Sequence, residues 1–184
     1  MMKVTLTDLP GVYVIEPDVH VDERGYLFES FNTNSFKSQN ISVEFVQDNQ
    51  VFSKKGVTRG LHYQLNYPQG KLISVSDGEI YDVAVDIRVG SPTFGKYFGL
   101  NLSSTNFKMF FVSKGFAHGY QVLSKTAKVQ YKCTNVYHAE DEKGIVWNDK
   151  DVDVEWPINN PILSEKDKKL PTLKTIDRRY LPRF

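Results

Sequence analysis

From Leu72 to Ile87 apolar side chains recur at every second position: Ile73 and Val75, then Tyr81, Val83, Val85 and Ile87, with mostly polar or small residues between them. This alternation predicts two strands with one buried face each, and Ser76-Asp77-Gly78 interrupts it where a tight turn should join them. Gly90-Ser91-Pro92 ends the second strand, because proline has no N–H to give to a ladder. The same reasoning predicts strands from Val12 to Ile15 and from Tyr26 to Phe31. An apolar stretch follows from Phe107 to Val112, broken by Lys114-Gly115, and further strands run through Tyr120 and Val122 and through Val129, Tyr131 and Cys133. Lys128, Gln130 and Lys132 take the opposite face of the last of these. Residues Thr33 to Gln39 can form one short helix. Many short strands separated by Gly, Pro and Asp turns predict an all-β fold, a sandwich or jelly roll.

After about Asp149 the texture changes. Ser164-Glu165-Lys166-Asp167 has the form of a capping box, with aspartate where glutamate or glutamine is usual, and predicts a short helix from Glu165 to Lys169 stopped by Pro171. The basic tail with Arg178, Arg179 and Arg183 reads as a solvated terminus. No sequence repeat or low-complexity linker divides the chain. Its 184 residues suit a single domain, with a core over about 20–150 and a C-terminal segment over about 151–184.

Composition narrows the partners. A formal net charge of +1 argues against non-specific binding to nucleic acid or to an anionic membrane, so any anionic ligand must be held by a few locally placed cations. Ten Tyr and 12 Phe are many for this length; they fit strands and sugar- or base-stacking surfaces, although core filling accounts for most of them. With Cys133 as the lone cysteine, no disulfide can form within the chain. The N-terminal residues lack a signal-peptide pattern, and no apolar run approaches the ~20 residues of a membrane span. A reducing, cytoplasmic location is expected.

Several segments carry groups suited to chemistry. In Arg59-Gly60-Leu61-His62-Tyr63-Gln64, a histidine able to act as a base near neutral pH stands beside a cation, with Gln69-Gly70-Lys71 shortly after. Arg59 can grip a diphosphate and Lys71 can stabilise an oxyanion, although both are also ordinary surface cations. A second histidine, His118, sits among small residues in Gly115-Phe116-Ala117-His118-Gly119-Tyr120. Metal-binding cupins offer two histidines one residue apart; here Gln64 stands where the second would be, Glu79 is available, and no three-histidine set is evident, so no metal is expected. Tyr131 reads equally as a core tyrosine and as a general acid. Asp22-Glu23-Arg24-Gly25 reads as a charged hairpin turn, and Val46-Gln47-Asp48-Asn49-Gln50 as a turn or a hydrogen-bonding strip.

Taken together, these segments resemble the deoxythymidine-diphosphate-4-dehydrorhamnose 3,5-epimerase family, cofactor-independent sugar-nucleotide epimerases of the cupin-like jelly-roll fold. The resemblance runs from about Asp22 through Asp167 and rests on the order and spacing of the motifs. It includes Phe45-Val46-Gln47-Asp48-Asn49, Asp82-Val83-Ala84-Val85-Asp86-Ile87-Arg88, Gly90-Ser91-Pro92-Thr93-Phe94-Gly95 and Tyr131-Lys132-Cys133-Thr134. It implies that His62 is the general base, Asp167 its orienting carboxylate, Tyr131 the general acid on the opposite face of the sugar, and Lys71 the cation at the enolate oxygen. It further implies that Arg24, Glu29, Gln47, Asn49, Arg59, His118, Glu142 and Lys166 hold the nucleotide diphosphate and sugar, with Tyr137 stacking on the base. Homodimers are expected, Arg24 and Glu29 reaching the neighbouring site. Ala139 stands where the family often has proline, a departure that removes no assigned group.

The chemistry is self-consistent. A ketone at C4 acidifies the hydrogens on C3 and C5, since the carbanion is delocalised as an enolate, and the ketone itself is the electron sink. The competing readings are an epimerase acting at C3 or C5 alone, a sugar-nucleotide ketoisomerase, and a non-catalytic sugar-binding module. The last predicts loss of at least one of His62, Lys71, Tyr131 and Asp167, and all four are present.

Overall fold

Alternation along the chain becomes two facing antiparallel sheets in the computed structural model, which describes residues 2–184. In chain order the elements are β1 (Lys3–Leu6), β2 (Val12–Glu16), β3 (His20–Asp22), β4 (Gly25–Leu27), helix α1 (Thr33–Ser38), β5 (Gln47–Lys54), β6 (Thr58–Gln64), β7 (Lys71–Asp77) and β8 (Glu79–Asp86). They continue with β9 (Tyr97–Ser103), β10 (Met109–Val112), β11 (Phe116–Val122), β12 (Thr126–Cys133) and β13 (Glu142–Gly144). One sheet has the order β1-β2-β10-β7-β12-β5, the other β13-β6-β11-β8-β9, and β3 and β4 form a separate hairpin. This is a jelly-roll sandwich of the cupin type, with one short α-helix and single turns of 3-10 helix, mainly C-terminal.

The turn at Ser76-Asp77-Gly78 joins β7 to β8. Gly78 has φ +82°, and a Cβ there would lie 2.1 Å from the Thr126 carbonyl, so only glycine fits. Between the sheets, Ile73, Phe110, Val112 and Val129 of one pack against Ile80, Ala84, Phe116 and Val122 of the other. Each outer face is covered as well. Residues Phe31, Phe36, Ile41 and Phe45 pack over Leu72, Met109 and Phe111 of the first sheet, while Ile145, Val152, Trp156, Leu173 and Leu181 cover Val83, Val85 and Ile87 of the second.

That second cover corrects the simple picture of β8. Its apolar face lies under the C-terminal segment, whereas Asp82 and Asp86, on the face expected to be polar, are fully buried. Asp86 accepts from Arg88 Nη2 (2.7 Å), Ser91 Oγ and Thr93 Oγ1 (both 2.6 Å), which supplies the partners that a buried carboxylate requires.

Other expectations shift at their ends. The strand expected from Tyr26 to Phe31 stops at Leu27, because Phe31 turns inward onto Phe36 and Phe45. The strand expected from Phe107 begins at Met109, since Phe107 adopts φ +55°, outside the extended range. Val46 to Gln50 is no turn: Gln47 opens the full-length strand β5. The helix expected from Glu165 shrinks to one 3-10 turn, Asp167–Lys169, although Ser164 Oγ does accept the Asp167 N–H at 3.1 Å as its capping form requires. The three tail arginines are exposed as expected, but their backbone is docked, with Val89 N–H donating to Pro182 O at 2.8 Å.

Candidate active site

A cavity of about 580 Å³ opens between the sheets. From the first sheet it receives Gln47, Asn49, Lys71 and Tyr131; from the second, Arg59, His62, His118 and Tyr120; and from the C-terminal side, Tyr137, Glu142, Lys166 and Asp167. Eleven residues assigned from the family resemblance therefore converge on one space: His62, Lys71, Tyr131, Asp167, Gln47, Asn49, Arg59, His118, Tyr137, Glu142 and Lys166.

Strict alternation would send Arg59 and His62 to opposite faces of β6, since they are an odd number of residues apart. The β6–β11 pairing is irregular here, with a register shift between His118 and Tyr120, and Gly60 takes φ +114°. Gly60 and Gly119 meet back to back: a Cβ on Gly60 would lie 2.6 Å from the Gly119 Cα, and one on Gly119 would lie 2.5 Å from the Arg59 carbonyl. This glycine-lined kink lets Arg59, His62 and His118 all line the same cavity.

His62 forms the centre of a charge cluster. Its Nε2 lies 2.6 Å from Asp167 Oδ1, a carboxylate brought from 105 positions along the chain and 3% exposed. Burial alone would raise the Asp167 carboxyl, but the His62 ring, Ser164 and the Gly60 N–H outweigh it and hold the group below the usual carboxylate range. With Nε2–H donated to Asp167, Nδ1 is the ring nitrogen left to take a proton; it stands 3.3 Å from Glu142 Oε1. Glu142 is engaged through its other oxygen, which accepts from Tyr137 Oη and Lys166 Nζ, both at 2.5 Å. Those contacts, with the His62 ring, overcome burial and keep Glu142 below its ordinary value, while the hydrogen bond to Glu142 pushes the Tyr137 phenol up to about 12.

Across the gap stand Tyr131 and Lys71 on the neighbouring strands β12 and β7, with Lys71 Nζ 6.0 Å from the Tyr131 ring centroid. Burial raises the Tyr131 phenol and lowers the Lys71 ammonium, the latter partly offset by Cys133, Glu142 and Asp82. The phenol therefore keeps its proton near neutrality, and the lysine sits where burial works against its charge and the neighbouring Cys133, Glu142 and Asp82 work for it.

The remaining assigned groups divide. Gln47 Oε1 accepts the Tyr137 N–H at 2.8 Å, tying β5 to the loop that carries Tyr137. Gln64, where a metal cupin would have histidine, is spent on structure: its amide donates to Tyr67 O at 2.6 Å and accepts the His138 N–H at 2.7 Å. Arg24 and Glu29 lie outside the cavity of their own chain. Arg24 is at the exposed tip of the β3–β4 hairpin, ion-paired with Asp22, and Glu29 accepts from Asn32 Nδ2 and Ser35 Oγ at the start of α1.

Two participants were not picked out as site residues from the sequence. Asp82, fully buried, lies 2.6 Å from His118 Nε2 and forms a second histidine–carboxylate pair under the cavity. The signal was an acid inside an apolar alternation, since a buried carboxylate needs a partner. Tyr120 lines the cavity and is 4% exposed; nothing in the sequence separates it from the core aromatics.

The chain is similar to known proteins over nearly its whole length. The sequence profile described as dTDP-4-dehydrorhamnose 3,5-epimerase matches residues 6–175. A dTDP-4-dehydrorhamnose 3,5-epimerase of Shigella flexneri is 52% identical over 168 residues, covering 90% of this chain and 93% of that one. One of Methanothermobacter thermautotrophicus is 48% identical, covering 91% and 92%. Among solved structures, a dTDP-6-deoxy-D-glucose-3,5-epimerase of Legionella pneumophila in complex with dTDP-4-keto-L-rhamnose superposes with a TM-score of 0.97 at 46% identity, covering 100% of this chain and 99% of that one.

Proposed function

The chain belongs to the dTDP-4-dehydrorhamnose 3,5-epimerase family, and on that premise we propose how its own residues divide the reaction. The enzyme is an isomerase that inverts C3 and C5 of dTDP-4-dehydro-6-deoxy-D-glucose to give dTDP-4-dehydro-L-rhamnose. One observation carries the division of roles: His62 and Tyr131 come from opposite sheets and face one cavity, so a sugar ring between them meets a base on one side and an acid on the other.

His62 removes the proton from the carbon next to the ketone, and Asp167 stabilises the imidazolium that forms. The electron pair moves into the C4 ketone as an enolate, whose oxygen Lys71 stabilises. Tyr131 then gives its proton to the opposite face of the same carbon, leaving a phenolate beside Lys71; exchange with solvent resets both groups. Arg59 and His118 hold the diphosphate, Gln47, Asn49, Glu142 and Lys166 the remaining polar groups, and Tyr137 the base. The fit of Tyr137, Glu142 and Lys166 to one hydrogen-bonded group at the cavity supports their acting together. Tyr131→Phe tests the split of roles. In heavy water it is expected to keep deuterium exchange at C3 while losing inversion, because the proton can only return from the His62 side. Unimpaired inversion would remove Tyr131 from the role of acid.

The enzyme acts as a single-domain polypeptide in a homodimer in the cytoplasm. Support for the dimer comes from Arg24 and Glu29 lying away from their own cavity, and from Val21, Tyr26 and Leu27, which leave the hairpin's apolar side chains 55–75% exposed. If Arg24 serves the neighbouring site, mixing Arg24→Ala with His62→Ala chains restores activity in the hybrid, since one of its two sites is intact. If Arg24 serves its own site, mixing restores nothing.

A further inference from the structure

The Tyr120 hydroxyl makes no hydrogen bond among the described residues, although its residue is 4% exposed. The Ser53 hydroxyl lies near enough to interact weakly with it, while accepting the Arg59 Nε–H at 3.2 Å. Leaving a buried hydroxyl without a partner costs free energy, and a phenylalanine would fill the same space without that cost. A hydroxyl without a full hydrogen bond on a cavity-lining side chain is therefore a pointer to what the cavity receives. Its place is specific. Tyr120 is two residues from His118 on β11 and is paired in register with Arg59 on β6. It thus sits with the two groups that face an anionic diphosphate under the reading above. Burial pushes its phenol up to about 12, so it is a neutral donor at working pH.

We propose that Tyr120 is a further substrate-positioning residue, its hydroxyl donating a hydrogen bond to a phosphate oxygen of the bound nucleotide diphosphate beside Arg59 and His118. The inference rests on the nucleotide-sugar reading of this cavity and adds to it a neutral donor. A neutral donor binds an anion without adding to the positive charge that must be buried when the site is empty.

Tyr120→Phe is the test, read by calorimetric titration with thymidine diphosphate, by thermal melting of the free enzyme and by steady-state kinetics. The affinity for thymidine diphosphate is expected to fall roughly tenfold, the scale of a hydrogen bond to a charged acceptor. KM should rise by a comparable factor with kcat little changed, as for an interaction made equally in the ground and transition states. The melting temperature of the free enzyme should stay the same or rise, because an unsatisfied hydroxyl has been removed. Unchanged affinity overturns the proposal. So does a lowered melting temperature accompanying the weaker binding, which would mean that the hydroxyl serves the fold. If the wild-type enzyme itself fails to bind thymidine diphosphate, it is the nucleotide-sugar reading that fails.

Discussion

Replacing His62 by alanine is expected to lower kcat by roughly 10²–10⁴, the range that a positioned general base supplies, with affinity for thymidine diphosphate little changed. The reasoning starts from the ring's two nitrogens. Nε2 is held 2.6 Å from the buried Asp167 carboxylate, so the imidazole has a fixed orientation and a fixed tautomer, and Nδ1 is the proton acceptor. The carboxylates beside His62 do not take over its role. Asp167 and Glu142 are both held below the usual carboxylate range, which makes them weaker bases than an imidazole. Asp167→Asn keeps the shape and loses the charge, so its kcat should fall between those of His62→Ala and the wild type. Because His62→Ala leaves Asp167 buried without its ring, His62→Asn and a thermal melt should accompany it. A His62→Asn enzyme that folds and turns over at the wild-type rate would end the assignment.

Lys71→Ala is expected to cost hundreds-fold in kcat, about 2.7–4 kcal/mol, the measured scale for removing one oxyanion donor. The effect belongs in kcat, since the charge it opposes appears only as the ketone becomes an enolate. The pH dependence has a defined sign. Burial holds the Lys71 ammonium below the ordinary lysine range, so in the free enzyme its charge is present below that lowered pKa and is lost as pH rises through it. Burial moves Tyr131 the other way, upward, so the first alkaline loss of kcat/KM belongs to Lys71. The pH–rate profile of Lys71→Ala should lack that limb. A variant with full activity, or an unchanged alkaline limb on a slow variant, would place the oxyanion cation elsewhere.

Much of this was legible along the chain, and the parts that were not share a physical cause. The β7–β8 hairpin could be read directly because one turn with one glycine separates two alternating runs, all of it local information. The β12 alternation likewise set Tyr131 and Cys133 on one face, with Lys128 and Gln130 exposed on the other. Where faces are decided by distant chain, the pattern misleads. Asp82 and Asp86 look like solvent-facing positions until the C-terminal segment covers the opposite face of β8 and they are found inside.

Asp167 shows the same limit from the other side. Its local reading as a cap is correct for its backbone, which bonds to Ser164, and silent about its carboxylate, which serves His62 on another element. Arg59 and His62 could not be put in one cavity by counting residues, because a kink at Gly60 and Gly119 breaks the alternation that counting assumes. For these the order and spacing of whole motifs carried information that periodicity does not hold. Tyr120 was legible by neither route; only its burial without a partner distinguishes it.

The central claim is that protons next to the C4 ketone leave to one wall of this cavity and return from the other. Incubating the wild-type enzyme with dTDP-4-dehydro-6-deoxy-D-glucose in heavy water, and following the sugar by NMR, tests it most directly. The account predicts deuterium at both C3 and C5 together with the L-configured product. Deuterium and inversion at one carbon alone would contradict double epimerisation, and no exchange at either carbon by folded enzyme would contradict the reaction itself.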